Sequence, residues 1–173
     1  MKKQDILENP ANYAYLAIGS NLGKKIYNIE HSKYMLCKKG INVKKSSSYY
    51  ITRSWPNPKF PKFVNLVLLV KTSLSLLKLF KEIKLIEKSL GRVDAPRNYP
   101  RKCDIDIIDF NGKSFNFTDI DIIVPHPRME QRSFVLLPLF EINKSWIHPK
   151  SKKNILNLLS NMNGDDIRSV KFI

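Results

Sequence analysis

The apolar positions of this chain fall into short runs and helical stripes that follow one another along its length. YAYLAI, residues 13 to 18, ends in the turn-rich string GSNLG, which predicts a strand feeding a tight connection whose glycines permit special backbone angles. Ile26, Ile29 and Leu36 then recur at partial helical spacing, and Gly40 stands where a helix-ending glycine belongs. INVKKSSSYYI and FVNLVLLVK (63 to 71) predict strands, separated by TRSWPNPKFPK, whose three prolines no sheet interior could hold. From Ser73 to Leu90 leucines, Phe80, Ile83 and Ile86 repeat at steps of three and four, with Ser73 or Ser75 as the cap and Gly91 as the stop. An arginine-bearing loop, the strand KCDIDIIDF and an Asn111-Gly112 turn come next, then a polar segment leading to IIVPHPRMEQRSFVLLPLF, in which Phe134 reads as part of an apolar strand. The order β, α, β, β, α, β with later additions predicts a layered α+β sandwich: a mainly antiparallel sheet with helices on one face.

Length and charge narrow the function. At 173 residues and 43% hydrophobic the chain can bury one core, so residues 13 to 173 read as a single domain behind a short N-terminal extension, 1 to 12. The formal charge of +15 favours partners that carry phosphate, although scattered lysines on solvated faces account for much of it. The arginines carry more information because a guanidinium grips phosphate in fixed geometry, and most of them fall between Arg92 and Arg132. Cys37 and Cys103 lack metal or disulfide spacing. MKKQDILENP has no secretory h-region and no apolar run is long enough to span a membrane, so the expected setting is the cytoplasm.

Aspartate is depleted in strands, yet Asp104 and Asp106 sit two apart in DIDII. Alternation points Asp104, Asp106 and Ile108 one way and Cys103, Ile105 and Ile107 the other, toward the core. Two carboxylates about 7 Å apart on one face repel unless a cation lies between them. Magnesium, held by one or two carboxylates plus substrate phosphates, satisfies that need. The alternative is a solvated strand face paired with Arg101 or Lys102. GSNLGKK fails as a phosphate-binding loop: Gly19 and Gly23 are one residue too close, and Lys25 stands where a hydroxyl ligand is required. Phe63 and Asn65 share a strand face, which sets an aromatic platform beside an amide and suits a flat heteroaromatic ring, with Phe134 or Trp55 as a second slice.

Taken in chain order, AIGSNLG, FVN, LGR at Gly91, PRKCDIDII and VPHPRMEQRSFVLLPL resemble the 6-hydroxymethyl-7,8-dihydropterin pyrophosphokinases of folate biosynthesis, from about Tyr13 to Phe140. The resemblance implies a ferredoxin-like α+β fold and transfer of diphosphate from ATP to the pterin's hydroxymethyl group with release of AMP. It places two Mg²⁺ ions on Asp104 and Asp106, ATP and the catalytic charge on Arg92 and Arg101, further nucleotide contacts on Ile107, His126 and Arg132, and the pterin among Thr52, Trp55, Phe63, Asn65 and Phe134. The chain departs from the family pattern at Asp94, where a second arginine is usual, at Asn98-Tyr99, where Trp-Gly is usual, and at Asp121 and Ile123 before VPH. Arg97 and Tyr99 are the substitutes at hand, and residues 92 to 101 are expected to form a lid. ATP and a pterin are the expected partners of a monomer, with no membrane. The competing class, a basic RNA- or DNA-binding module, would need exposed aromatics on adjacent central strands, where this sequence offers one aromatic beside Asn65 and two aspartates.

Overall fold

Strand β1 (Asn12–Ser20) pairs antiparallel along its whole length with β4 (Phe63–Thr72), and on its other edge with β5 (Asp104–Phe110). These relationships come from a computed structural model that describes residues 11–54, 57–91, 99–120 and 122–173. The far edge of β4 is shared by β2 (Asn42–Ser46) and β3 (Tyr50–Thr52), and β3 takes a last short strand, β8 (Lys171–Phe172). The resulting order, β5-β1-β4-β3-β8 with β2 also on β4, is antiparallel throughout. The expected single strand INVKKSSSYYI is therefore two. Ser47 lies between them and still binds β4, its N–H donating to the Val67 carbonyl at 2.9 Å and its hydroxyl accepting from Val67 N–H at 3.0 Å. Serine side chains that compete for backbone hydrogen bonds explain the break.

Helices α1 (Lys25–Lys38) and α2 (Leu76–Ser89) lie on one face. On α2, Leu76, Leu79, Ile83 and Ile86 are buried, each worth about 1.5–3 kcal/mol relative to exposure. Ser75 rather than Ser73 caps it, accepting from Lys78 N–H, and Gly91 follows at φ +87°. Gly40 ends α1 at φ +71°. Asn111 and Gly112 both take positive φ, as a tight hairpin turn requires, and lead into the ribbon of β6 (Phe115–Phe117) and β7 (Ile122–Val124).

The opposite face is covered as well, which corrects the expectation of helices on one side. FVLLPLF forms not a strand but helix α3 (Ser133–Ile142), with Pro138 inside it. Together with α4 (Ile155–Ser160) it encloses a second core around Val67, Ile108, Trp146 and Leu158. A run that is apolar on every side carries no period, so strand and helix read alike. Alternation on the strands then sorts the side chains. Leu16, Ile18, Leu66, Ile105 and Ile107 point to α1 and α2, while Ala17, Val67 and Ile108 point to α3. The first turn of α3 reaches the end where β1 finishes and β4 and β5 begin, and a cleft lies there between helix and sheet. Among the described residues, no helix is long and apolar enough to cross a membrane.

Candidate active site

At that end, Gly19 of β1 faces Asn65 on one side and Asp104 on the other, and Ala17 faces Val67 and Asp106. The small residues of β1 form a floor between the carboxylates of β5 and the amide of β4. Gly19 is there for room: a Cβ would stand 2.9 Å from Asn65 Oδ1 and 3.3 Å from the Phe63 ring. Only Gly23 of the GSNLG connection needs glycine for its backbone, at φ +65°.

Above this floor lies a cavity of about 620 Å³, within the range of small-molecule sites. Thr52, Phe63 and Asn65 line one end, and Arg101, Asp104 and Asp106 the other. Asn65 is 5% exposed and donates from Nδ2 to Thr52 Oγ1 at 3.0 Å, which fixes the amide plane and leaves Oδ1 directed at Gly19. Phe134, on the first turn of α3, closes the space from across, with the Arg132 guanidinium 5.7 Å from its ring centre.

The carboxylates are already matched to cations. Arg101 donates to Asp104 Oδ1 at 3.1 Å, and Arg132 to Asp106 Oδ2 at 2.8 Å, with His126 Nε2 3.9 Å from the same oxygen. Burial alone would push the Asp106 carboxyl up, but the fields of His126 and Arg132 and the Arg132 hydrogen bond hold it below the usual carboxylate value. Burial pushes the His126 imidazole down, Asp106 opposes this, and Arg132 and Arg128 add to it. The solvated-face alternative is half right: Asp104 does pair with Arg101, yet the face is walled by α3 rather than open.

Among the described residues no three metal-ligating side chains cluster. A pair of carboxylates is a poor zinc site and a suitable magnesium one, because magnesium draws its remaining ligands from phosphate and water. Asp104 and Asp106 fit that ion by chemistry and by their place on the cavity wall.

Of the residues expected from sequence, Thr52, Phe63, Asn65, Arg101, Asp104, Asp106, Arg132 and Phe134 line one cavity, and His126 stands behind Asp106. Ile107 does not join them. Its side chain lies in the core on the opposite face of β5, as its parity with Ile105 requires. Trp55, Arg92, Asp94, Arg97, Asn98 and Asp121 lie outside the described residues. Tyr99 packs against Phe60, ring centres 5.6 Å apart. Sequence reasoning marked Arg53 and Arg128 as arginines without placing them in the site, and missed Gln131 and the wall formed by Asp165, Asp166 and Ser169 of helix α5 (Gly164–Ser169), whose Asp166 carbonyl accepts from Ser133. Nothing local in NGDDIRS marks it as lining a pocket.

Residues 15–144 match the family model described as 7,8-dihydro-6-hydroxymethylpterin-pyrophosphokinase. The Folic acid synthesis protein fol1 of Pneumocystis carinii is 36% identical over 170 residues, 98% of this chain but 22% of that protein. The 2-amino-4-hydroxy-6-hydroxymethyldihydropteridine pyrophosphokinase of Bacillus subtilis is 39% identical over 132 residues, 76% of this chain and 78% of its own. The fold is shared with wild-type HPPK-DHPS of Plasmodium falciparum, crystallised with pterin and p-hydroxybenzoate: TM-score 0.72 at 17% identity, over 96% of this chain and 46% of that one. The chain thus spans under a quarter of the fungal relative and about half of the structural one. A family match over most of the chain, on the fold and motifs described above, shows that the chain belongs to the 7,8-dihydro-6-hydroxymethylpterin-pyrophosphokinase family.

Proposed function

We propose that this chain transfers the terminal diphosphate of ATP to the hydroxymethyl group of 6-hydroxymethyl-7,8-dihydropterin and releases AMP. The observation that carries the reading is one cavity over the sheet holding a ring-binding end, Asn65 and Phe63, and a charge-binding end, Asp104 and Asp106, joined across Gly19.

The pterin lies between Phe63 and Phe134, with its amide edge on Asn65, whose orientation Thr52 fixes. Its hydroxymethyl group then points along the floor toward β5. The hydroxyl oxygen attacks the β-phosphorus and the bond from that phosphorus to the α,β-bridging oxygen breaks. AMP leaves with the bridging oxygen and the hydroxyl proton is released. Asp104 and Asp106 hold magnesium in this reading; when bound, the divalent ions, two of them, offset the triphosphate's charge and polarise the phosphorus under attack. Arg101 and Arg132 move from their aspartate partners to phosphate oxygens, and Arg92 supplies a further guanidinium. His126, whose imidazole burial pushes down, stands beside Asp106. Nothing in the fold or among the relatives supports the nucleic-acid reading.

The test is to supply Mg-ATP and the hydroxymethyldihydropterin and to identify the nucleotide formed. AMP, in step with pterin consumption, is expected; ADP, or no pterin-dependent product, contradicts the reading.

A further inference from the structure

Three loops meet beside the cavity at one side chain, Asn21. It is 1% exposed and both ends of its amide are used. Oδ1 accepts from Arg101 N–H at 2.7 Å, while Nδ2 donates to Ser54 Oγ at 3.2 Å and to the Pro61 carbonyl at 3.3 Å. The amide cannot be the other way round, because the Arg101 N–H can only donate and the Pro61 carbonyl can only accept. Asn21 N–H also donates to the Arg101 carbonyl at 3.1 Å, so the backbone of Arg101 is held on both sides by this one residue.

The two halves of the amide hold different ends of the site. The acceptor half fixes the base from which the Arg101 side chain reaches Asp104. The donor half holds Ser54 and Pro61, of which the first follows closely on Thr52, the partner of Asn65, and the second shortly precedes Phe63. Ser54 Oγ adds a 2.6 Å bond to the Pro61 carbonyl, and Lys25 Nζ one of 2.7 Å to the Lys62 carbonyl. On the outer side Phe60 touches Tyr99, so the two segments also meet away from Asn21.

We infer that Asn21 is a positioning residue that sets the Arg101 backbone and the pterin-side loop in one register, through opposite ends of its amide. The inference rests on the function proposed above. Its consequence is that Arg101 exchanges Asp104 for phosphate by swinging its side chain from a fixed backbone, while the ring pocket is held by bonds that leave Arg101 untouched.

The two halves can be separated in the full-length chain. Asn21→Asp keeps the acceptor for Arg101 and loses both donors; Ser54→Ala loses the Ser54 bonds to Asn21 and to the Pro61 carbonyl and leaves the Arg101 contact intact; Asn21→Ala loses all three bonds of the amide. Both partial variants are expected to raise KM for the pterin about tenfold with kcat and the KM for ATP near wild type, whereas Asn21→Ala also lowers kcat about tenfold or more. A merely structural residue would depress every parameter in proportion to lost thermal stability. Equal loss of kcat in Asn21→Asp and Asn21→Ala, or wild-type kcat in Asn21→Ala, overturns the inference. If Asn21→Ala fails to fold, the partial variants decide: an unchanged pterin KM in either overturns it. Arg101→Ala separates this from failure of the functional reading. A crippled Arg101→Ala beside an active Asn21→Ala refutes the role of Asn21, whereas an unimpaired Arg101→Ala refutes the role of Arg101 itself.

Discussion

Asn65 and Asp104 face the same residue, Gly19, from the two neighbouring strands. Two interstrand spacings, about 10 Å, therefore separate the amide that would read the ring from the carboxylate that would hold the ion. Nothing but hydrogen projects from the strand between them. Gly19→Ala places a methyl 2.9 Å from Asn65 Oδ1 and forces the amide to turn. The expected result is a pterin KM raised about tenfold and a stability loss of about 1–3 kcal/mol from overpacking. Steady-state kinetics with thermal melting checks both, and an unchanged KM would show that the amide does not hold the ring.

Thr52→Val keeps the side chain's shape and removes the acceptor that orients Asn65. A buried amide donor is left unpaired, at about 1–3 kcal/mol. Turnover at saturating pterin is expected to hold while pterin affinity falls, as titration of the ligand would report. Equal affinity in the two proteins would mean that the hydrogen bond does not matter to binding.

Asp104→Ala or Asp106→Ala removes an oxygen ligand from the charge-binding end. Loss of turnover of about a hundredfold or more is expected in each, beyond the drop in melting temperature that removal of the Arg101 or Arg132 ion pair brings. Rates near wild type in both would defeat the metal assignment.

At the other end of β5, burial pushes the Asp109 carboxyl above its usual value, against the Trp146 indole N–H and the Gly112 N–H that it accepts at 2.8 Å each. The folded chain then keeps a proton that the unfolded chain has already lost. Stability falls as pH rises from the unfolded value of about 3.9 through the raised folded value, and levels off above it. Asp109→Asn removes that slope. Melting temperatures between pH 4 and 6 should show wild type declining relative to the variant as pH rises; a constant difference would mean that Asp109 titrates normally.

The parts of this molecule that were legible in sequence are those with local causes. Helix α2 announces itself by its stripe, its Ser75 cap and Gly91; the Asn111-Gly112 turn by its residues; and the two aspartates by their oddity in a strand. Helix α3 was misread because FVLLPLF is apolar all round and Pro138 argues against a helix, although Pro138 is accommodated within one. With α3 taken as a strand, the second covered face disappeared from the expectation, and with it the reason the cavity has a roof. Asn21 is silent in sequence for a different cause. Its partners are Ser54 and Arg101, 33 and 80 residues away, and no pattern within GSNLG points to either. Gly19 looked like a turn glycine, and only the register with Asn65 and Asp104 shows that it is kept small by what faces it.

The transfer of two phosphorus atoms as a unit is the claim most open to direct test. Phosphorus NMR of the protein with Mg-ATP and the hydroxymethyldihydropterin should show the β and γ resonances of ATP replaced by a coupled pair from a diphosphate ester, with AMP appearing in equal amount. ADP with a single uncoupled phosphate ester, or a spectrum unaltered by the pterin, would contradict it.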